Sequence, residues 1–193
     1  MLTDRFEEAL VYAFRLHRGQ RRKASNIPYV SHLMSVAALV MENGGDEEQA
    51  IAALLHDAVE DQGGSPTLEA IRARFGERVA AIVNGCTDAI DHQALPSAQR
   101  KEIYLAHLPT VPAEVRFVAL ADKVHNARSI VSDLRNLGGG QTSDVVWQRF
   151  SGKKAGTLAY YRRLAEIFNQ TGDDFLTREL ARLVTEMEAL AAV

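Results

Sequence analysis

An all-α fold, a compact bundle of roughly eight to ten helices with little or no sheet, is predicted by two features of this sequence. Apolar residues recur at three- and four-residue spacing along nearly the whole chain. No stretch sustains the two-residue alternation with turn signals that marks a half-buried strand. At 193 residues, with 47% apolar and 24% charged residues, the chain is read as one domain, residues 1–193, large enough for a substantial core.

Asp4 with Glu7 reads as a capping box, opening a helix whose apolar stripe is Phe6, Leu10, Ala13 and Phe14 and which ends near Gly19. A polar loop rich in Arg and Lys spans Gln20 to Ile27. Pro28 suits the first turn of the next helix, which carries His32, Val36, Leu39 and Val40 and stops at Asn43-Gly44-Gly45. Asp46 with Gln49 caps another, whose Ile51, Leu54 and Leu55 lead directly into His56-Asp57, with Gly63-Gly64 as its end. Ser65-Pro66 opens a short helix closed by Gly76, and Val79, Ile82 and Val83 mark one that ends around Asn84-Gly85. Asp91 to Pro96 reads as a loop, followed by a helix near Ser97 to Leu108. Pro112 starts a long helix through Val115, Val118, Ala119 and Leu120 to Asp122, and Gly138-Gly139-Gly140 breaks the pattern. Two or three more helices complete the chain, one containing Tyr160, Tyr161 and Leu164 and another running from about Asp174 to Leu190.

The net charge of −3 argues against a general nucleic-acid binder. No apolar run approaches the ~18 residues that a membrane span needs. The opening MLTDRFEEAL has neither the basic start nor the apolar stretch of a signal peptide. The one cysteine, Cys86, allows no internal disulfide and no Cys-rich metal site. A cytoplasmic protein is expected, without nucleic-acid or membrane partners; the oligomeric state is left open.

The most informative stretch is His56-Asp57-Ala58-Val59-Glu60-Asp61. Side chains three and four apart share a helix face, so Glu60 is expected above both His56 and Asp57, and Asp61 above Asp57. An imidazole and several carboxylates on an apolar helix need a compensating charge, which a divalent cation supplies. Taken singly, each residue has an ordinary explanation. A lone His is usually a surface or hydrogen-bonded core residue, as read for His92, His107 and His125, and a lone Asp is usually a cap or an ion-pair partner. The combination is different: His32, His56-Asp57 and Asp122 come from three separate, largely apolar helices. Two His and two carboxylates without sulfur suit Mn(II), Fe(II) or Zn(II). Such an ion would act as a Lewis acid, and Glu60 is placed to orient or deprotonate the attacking water.

The spaced His…His-Asp…Asp pattern resembles that of HD-domain metal-dependent phosphohydrolases, and within them the RelA/SpoT-type alarmone hydrolases, particularly the stand-alone small ones. Four passages, within about residues 10–135, carry the likeness: His17-Arg18-Gly19-Gln20-Arg21-Arg22-Lys23, Pro28-Tyr29-Val30-Ser31-His32, Leu54-Leu55-His56-Asp57-Ala58-Val59-Glu60-Asp61, and Leu120-Ala121-Asp122-Lys123-Val124-His125-Asn126-Ala127-Arg128. The C-terminal helices, about 143–192, add little. The resemblance implies a single HD-domain helical bundle with His32, His56, Asp57 and Asp122 as ligands of Mn(II), or of another divalent transition metal. Glu60 and Asp61 match the family's catalytic acidic pair. Arg22 and Lys23 match its basic pair beside the nucleotide, where a guanidinium stacks on the base and an ammonium meets phosphate; on composition alone they read as a solvated basic loop. Asn126 matches a residue that contacts the nucleoside. The implied reaction removes the 3′-pyrophosphate from (p)ppGpp, giving GDP or GTP and pyrophosphate. The alternatives are an HD phosphatase for another nucleotide (a nucleoside monophosphate, an adenosine alarmone or NADPH) and a catalytically silent nucleotide sensor, which would normally lack a ligand or acid that this chain retains.

Three positions depart from the family pattern. Leu33 stands where proline usually follows the ligand His, a change expected to affect how the helix starts more than the chemistry. Lys23-Ala24-Ser25-Asn26-Ile27-Pro28 lacks the common Ser-Gly-Glu-Pro form, which bears on base specificity. Cys86 replaces an apolar residue and is read as a small core residue without a nucleophilic role. No synthetase domain is expected.

Overall fold

Local chemistry decides most helix boundaries in this computed structural model, which describes residues 1–23, 25–87, 95–137, 142–172 and 174–192. Among these residues the backbone forms eleven α-helices, two of them single four-residue turns, and one 3₁₀ turn at Leu108–Thr110. They contain no strand, and the one β feature recorded is an antiparallel bridge between Arg21 and Pro28. The predicted all-α fold is the observed one. No described helix is long and apolar enough to cross a membrane. The chain packs as two compact units, Met1–Ala94 with Thr110–Asp122, and Leu95–Pro109 with Lys123–Val193.

In the first unit, α1 (Asp4–Leu16) is capped by Thr3, whose side chain accepts from the Arg5 amide; Asp4 is not the cap. Asp4 and Glu7 instead sit in the first turn, where negative charge suits the helix dipole. Of the expected stripe Ala13 is buried, Phe6 and Leu10 are half-buried, and Phe14 stays exposed beneath the Arg18 guanidinium, while Ala9 is buried as well. Pro28 lies outside the helix that it was expected to open. The bonds Arg22 N to Ile27 O (2.8 Å) and Tyr29 N to Gln20 O (3.0 Å) close the basic loop, so α2 (Val30–Glu42) starts only after it.

The reciprocal Asp46–Gln49 capping box forms as expected and opens α3 (Glu47–Leu55). Residues Ala50 through Leu55 of α3 are all buried, because the helix is packed by α1, α2 and α6 (Glu77–Cys86). It stops earlier than its pattern suggests. His56 is its C-cap, Asp57 turns at φ −95°, ψ −3°, and a new turn, α4 (Ala58–Asp61), follows. Gly63 and Gly64 take positive φ (130° and 65°), which lets the chain reverse into α5 (Ser65–Phe75).

Two devices fix where the long helix α8 (Ala113–Arg135) begins. Arg78 on α6 bridges Asp46, Glu48 and Glu114 at 2.8, 3.0 and 2.9 Å. α6 ends at Cys86, one residue beyond the expected Asn84-Gly85, and a Cβ on Gly85 would meet the two methyls of Val115 at 2.7 and 2.9 Å. Cys86 is half-buried rather than a core residue, its thiol 3.8 Å from the Val115 carbonyl.

The second unit holds α7 (Ser97–His107), the later part of α8, α9 (Asp144–Trp147), α10 (Lys153–Thr171) and α11 (Phe175–Ala191). Asp174 caps α11 by accepting from the Thr177 amide. The buried faces are Leu158, Leu164 and Phe168 on α10 and Leu176, Leu180 and Leu183 on α11, and the two helices pack together. The sequence did not announce α9, because four residues are too few to display a period. The expected loop at 91–94 and the glycine break at 138–140 lie outside the described residues.

Gly85→Ala should destabilise the protein by about 1–3 kcal/mol, since α6 and the start of α8 must separate to admit the methyl group. The check is the urea midpoint; an unchanged midpoint would mean that Val115 moves aside freely.

Candidate metal centre

Three segments of the first unit deliver the four expected ligands. His32 sits in the first turn of α2, His56 and Asp57 at the break between α3 and α4, and Asp122 at the tenth position of α8. His32 Nε2 lies 3.1 Å from Asp122 Oδ1 and 3.4 Å from Asp57 Oδ2. His56 Nε2 lies 3.0 Å from Asp57 Oδ2 and 3.6 Å from Asp122 Oδ1. Ligand atoms of His32, His56 and Asp57 all fall within 4.8 Å of one another. His32, His56 and Asp122 are buried and Asp57 is partly so.

The donor set fits a divalent cation. His56 Nδ1 is 2.8 Å from the Ala53 carbonyl, an oxygen that can only accept, so Nδ1 carries the hydrogen. Nε2 then points at the carboxylates, buried and without a hydrogen bond of regular geometry. A ligating imidazole takes this arrangement, its outer nitrogen fixed and its inner lone pair turned to the ion.

Without an ion, burial would push His56 down and Asp57 up. The close charges prevail: Asp57 and Asp122 hold His56 well above the usual imidazole value, and His56 and His32 hold Asp57 well below the usual carboxylate range.

The acidic pair and the basic pair fall on different elements. Glu60 lies in α4, half-buried, and Asp61 ends that turn with its amide bonded to the Asp57 carbonyl at 3.0 Å. The expected continuous helix face is interrupted by the break at His56-Asp57, although the Asp57–Asp61 relation survives. Gln20 Nε2 donates to Asp61 Oδ2 at 2.7 Å. Burial and the Asp57 charge push the Asp61 carboxyl up, against the Gln20 bond. Arg22 places its guanidinium carbon 5.8 Å from the Tyr29 ring centroid, and Lys23 is exposed beside it. Asn126 is half-buried on the part of α8 that belongs to the second unit.

Sequence reasoning gave Tyr29 no role, yet its hydroxyl donates to Asp57 Oδ2 at 2.5 Å. Burial and the Asp57 charge raise the phenol far above its ordinary value, so it remains a donor. Its signal in the sequence is its place three residues before His32. Tyr29→Phe should weaken divalent-cation binding about tenfold, because the candidate ligand carboxylate loses the hydrogen bond that orients it. Calorimetric titration of metal-free protein checks this, and an unchanged affinity would dismiss the bond as incidental.

The chain matches the family model described as HD domain over residues 9–158. It is 38% identical over 126 residues to the guanosine-3′,5′-bis(diphosphate) 3′-pyrophosphohydrolase MESH1 of Xenopus tropicalis, covering 64% of this chain and 68% of that protein. The human protein of the same name is 36% identical with the same coverage. A solved structure, described as a metazoan orthologue of SpoT that hydrolyses ppGpp and plays a role in starvation responses, superposes with a TM-score of 0.78 at 27% identity, over 96% of this chain and 97% of that one. The family match spans His32, His56, Asp57 and Asp122, and the chain belongs to the HD-domain family.

Proposed function

We propose that this chain is a metal-dependent 3′-pyrophosphohydrolase of (p)ppGpp-type alarmones, releasing pyrophosphate and GDP or GTP. The observation that carries the reading is the buried cluster of two His and two Asp, followed within one turn by two further carboxylates. Such a donor set needs a cation and has general-base groups beside it. The relatives named for this activity supply the substrate class. We assign Mn(II) to His32, His56, Asp57 and Asp122; when bound it would supply Lewis acidity and acidify a water.

The reaction in this reading is hydrolysis at the phosphorus next to ribose O3′. Water oxygen adds to that phosphorus, the bond to O3′ breaks, one proton leaves the water and one reaches O3′. Glu60 takes the proton from the water, and Asp61, tethered by Gln20, orients it. Arg22 stacks on the base; its guanidinium already lies over an aromatic face, that of Tyr29, which supports this role. Lys23 meets phosphate, and Asn126 contacts the nucleoside. The substrate is thus a free nucleotide rather than a nucleic acid, and the protein acts as a single cytoplasmic domain.

Protein stripped by a chelator and reloaded with Mn(II), then offered ppGpp, pppGpp, an adenosine alarmone, NADPH and nucleoside monophosphates, tests the reading. Pyrophosphate should appear with the guanosine alarmones. Turnover confined to NADPH or monophosphates would overturn the substrate class and leave the metal centre standing. Glu60→Gln should keep its metal while kcat falls by ~10²-fold, since the amide cannot take a proton. Parental kcat in that variant would remove Glu60 from the mechanism.

A further inference from the structure

His17 is a buried titratable group that the mechanism above does not use. It caps the C-terminus of α1 with 2% of its surface exposed, and its Nε2 has no hydrogen-bond partner. Its Nδ1 lies 2.7 Å from Gln20 Oε1. The ring stacks on Tyr29, with centroids 5.3 Å apart and planes at 15°. Tyr29 in turn donates to Asp57.

The polarity of this chain of contacts follows from what each group can do. An ionised Asp61 only accepts, so the Gln20 group at its Oδ2 must be the amide nitrogen, 2.7 Å away. Gln20 Oε1 therefore faces the other way, where the Gln62 amide also donates to it. An oxygen facing His17 Nδ1 requires a hydrogen on that nitrogen. His17 is then an Nδ1–H donor with a bare Nε2, and burial, by pushing its pKa down, favours this neutral form. A histidine that merely filled space would not need one tautomer, nor sit at the head of a path ending on a carboxylate of the proposed site.

We propose that His17 is a positioning residue for Asp61: its Nδ1–H locks the orientation of the Gln20 carboxamide, and Gln20 holds Asp61 Oδ2 in place for the reaction. The proposal rests on the hydrolase reading only in giving Asp61 a part in turnover; the hydrogen-bond path is a matter of structure alone. His17→Phe keeps a stacked, buried ring and removes the donor. His17→Asn keeps a donor near the position of Nδ1 and gives up half the ring.

Nitrogen NMR of the full chain, with labelled histidine, reads the tautomer directly: His17 should show a protonated Nδ1 and a bare Nε2, and a protonated Nε2 overturns the proposal whether or not any variant folds. In Mn(II)-loaded protein, His17→Phe should lower kcat about tenfold through misplacement of Asp61, with KM and metal content near the parental values. His17→Asn should recover most of that loss although it packs worse. A Phe variant with parental kcat, or an Asn variant no better than Phe, overturns the positioning role. Should the parental protein hydrolyse no alarmone while the tautomer is as stated, the failure belongs to the proposed function and not to the hydrogen-bond path.

Discussion

Two carboxylates and two imidazoles share a small buried space in this protein, and their charge balance is the constraint on which the surrounding architecture depends. Asp57 and Asp122 both face the Nε2 atoms of His32 and His56. Buried like charges are costly unless positive charge lies between them. The two carboxylates hold the His56 imidazole well above its usual value despite its burial, which is the mark of that need. A divalent ion would meet the same need with the same donor atoms. The bond from His56 Nδ1 to the Ala53 carbonyl already turns Nε2 toward the carboxylates, so binding an ion would require no turn of the ring.

The scaffold therefore has to fix directions rather than supply charge. Helix α3, buried along its last six residues, cannot shift without disturbing the three helices around it, and it delivers His56 at its end. The break after Leu55 then does what an unbroken helix would not. Asp57 turns toward Nε2 of its own neighbour, 3.0 Å away, while the chain climbs again to carry Glu60 and Asp61. Asp122 arrives on a helix whose start is set by a close glycine contact with α6 and by the Arg78 bridge. Each candidate ligand is thus anchored by packing of the element that carries it.

Fold class and the four ligand candidates were legible in the sequence because they rest on residue type and period. The apolar repeat named the helices, and the reciprocal Asp46–Gln49 pair named one start correctly. What failed was local. Thr3 rather than Asp4 caps α1, since adjacent residues compete for one role and backbone geometry decides between them. Pro28 has the φ of a helix first turn, but pairing with Arg21 claims it for the loop. The run through His56-Asp57 looked helical because a single break leaves the i to i+4 spacing from Asp57 to Asp61 intact. Tyr29, Gln20 and Gln62 escaped notice for a different reason. Polar side chains that act through other side chains leave no periodic or compositional mark, so a place in a motif hints at them and their distances assign what they do.

Two histidines hydrogen-bonded through Nδ1 make that point most sharply. His56 and His17 both give this nitrogen to an oxygen, one on the backbone and one on a carboxamide, and both leave Nε2 bare and buried. Their chemistry diverges only in what lies beyond Nε2. At His56 two carboxylates gather there, the surroundings of the proposed cation site. At His17 the hydrogen-bonded end faces Gln20, which donates to Asp61, the path of the proposed positioning role. One residue type, hydrogen-bonded through the same nitrogen, is thus proposed as ligand in one place and as strut in the other, and the difference is written in the partners of its second nitrogen, not in the histidine itself.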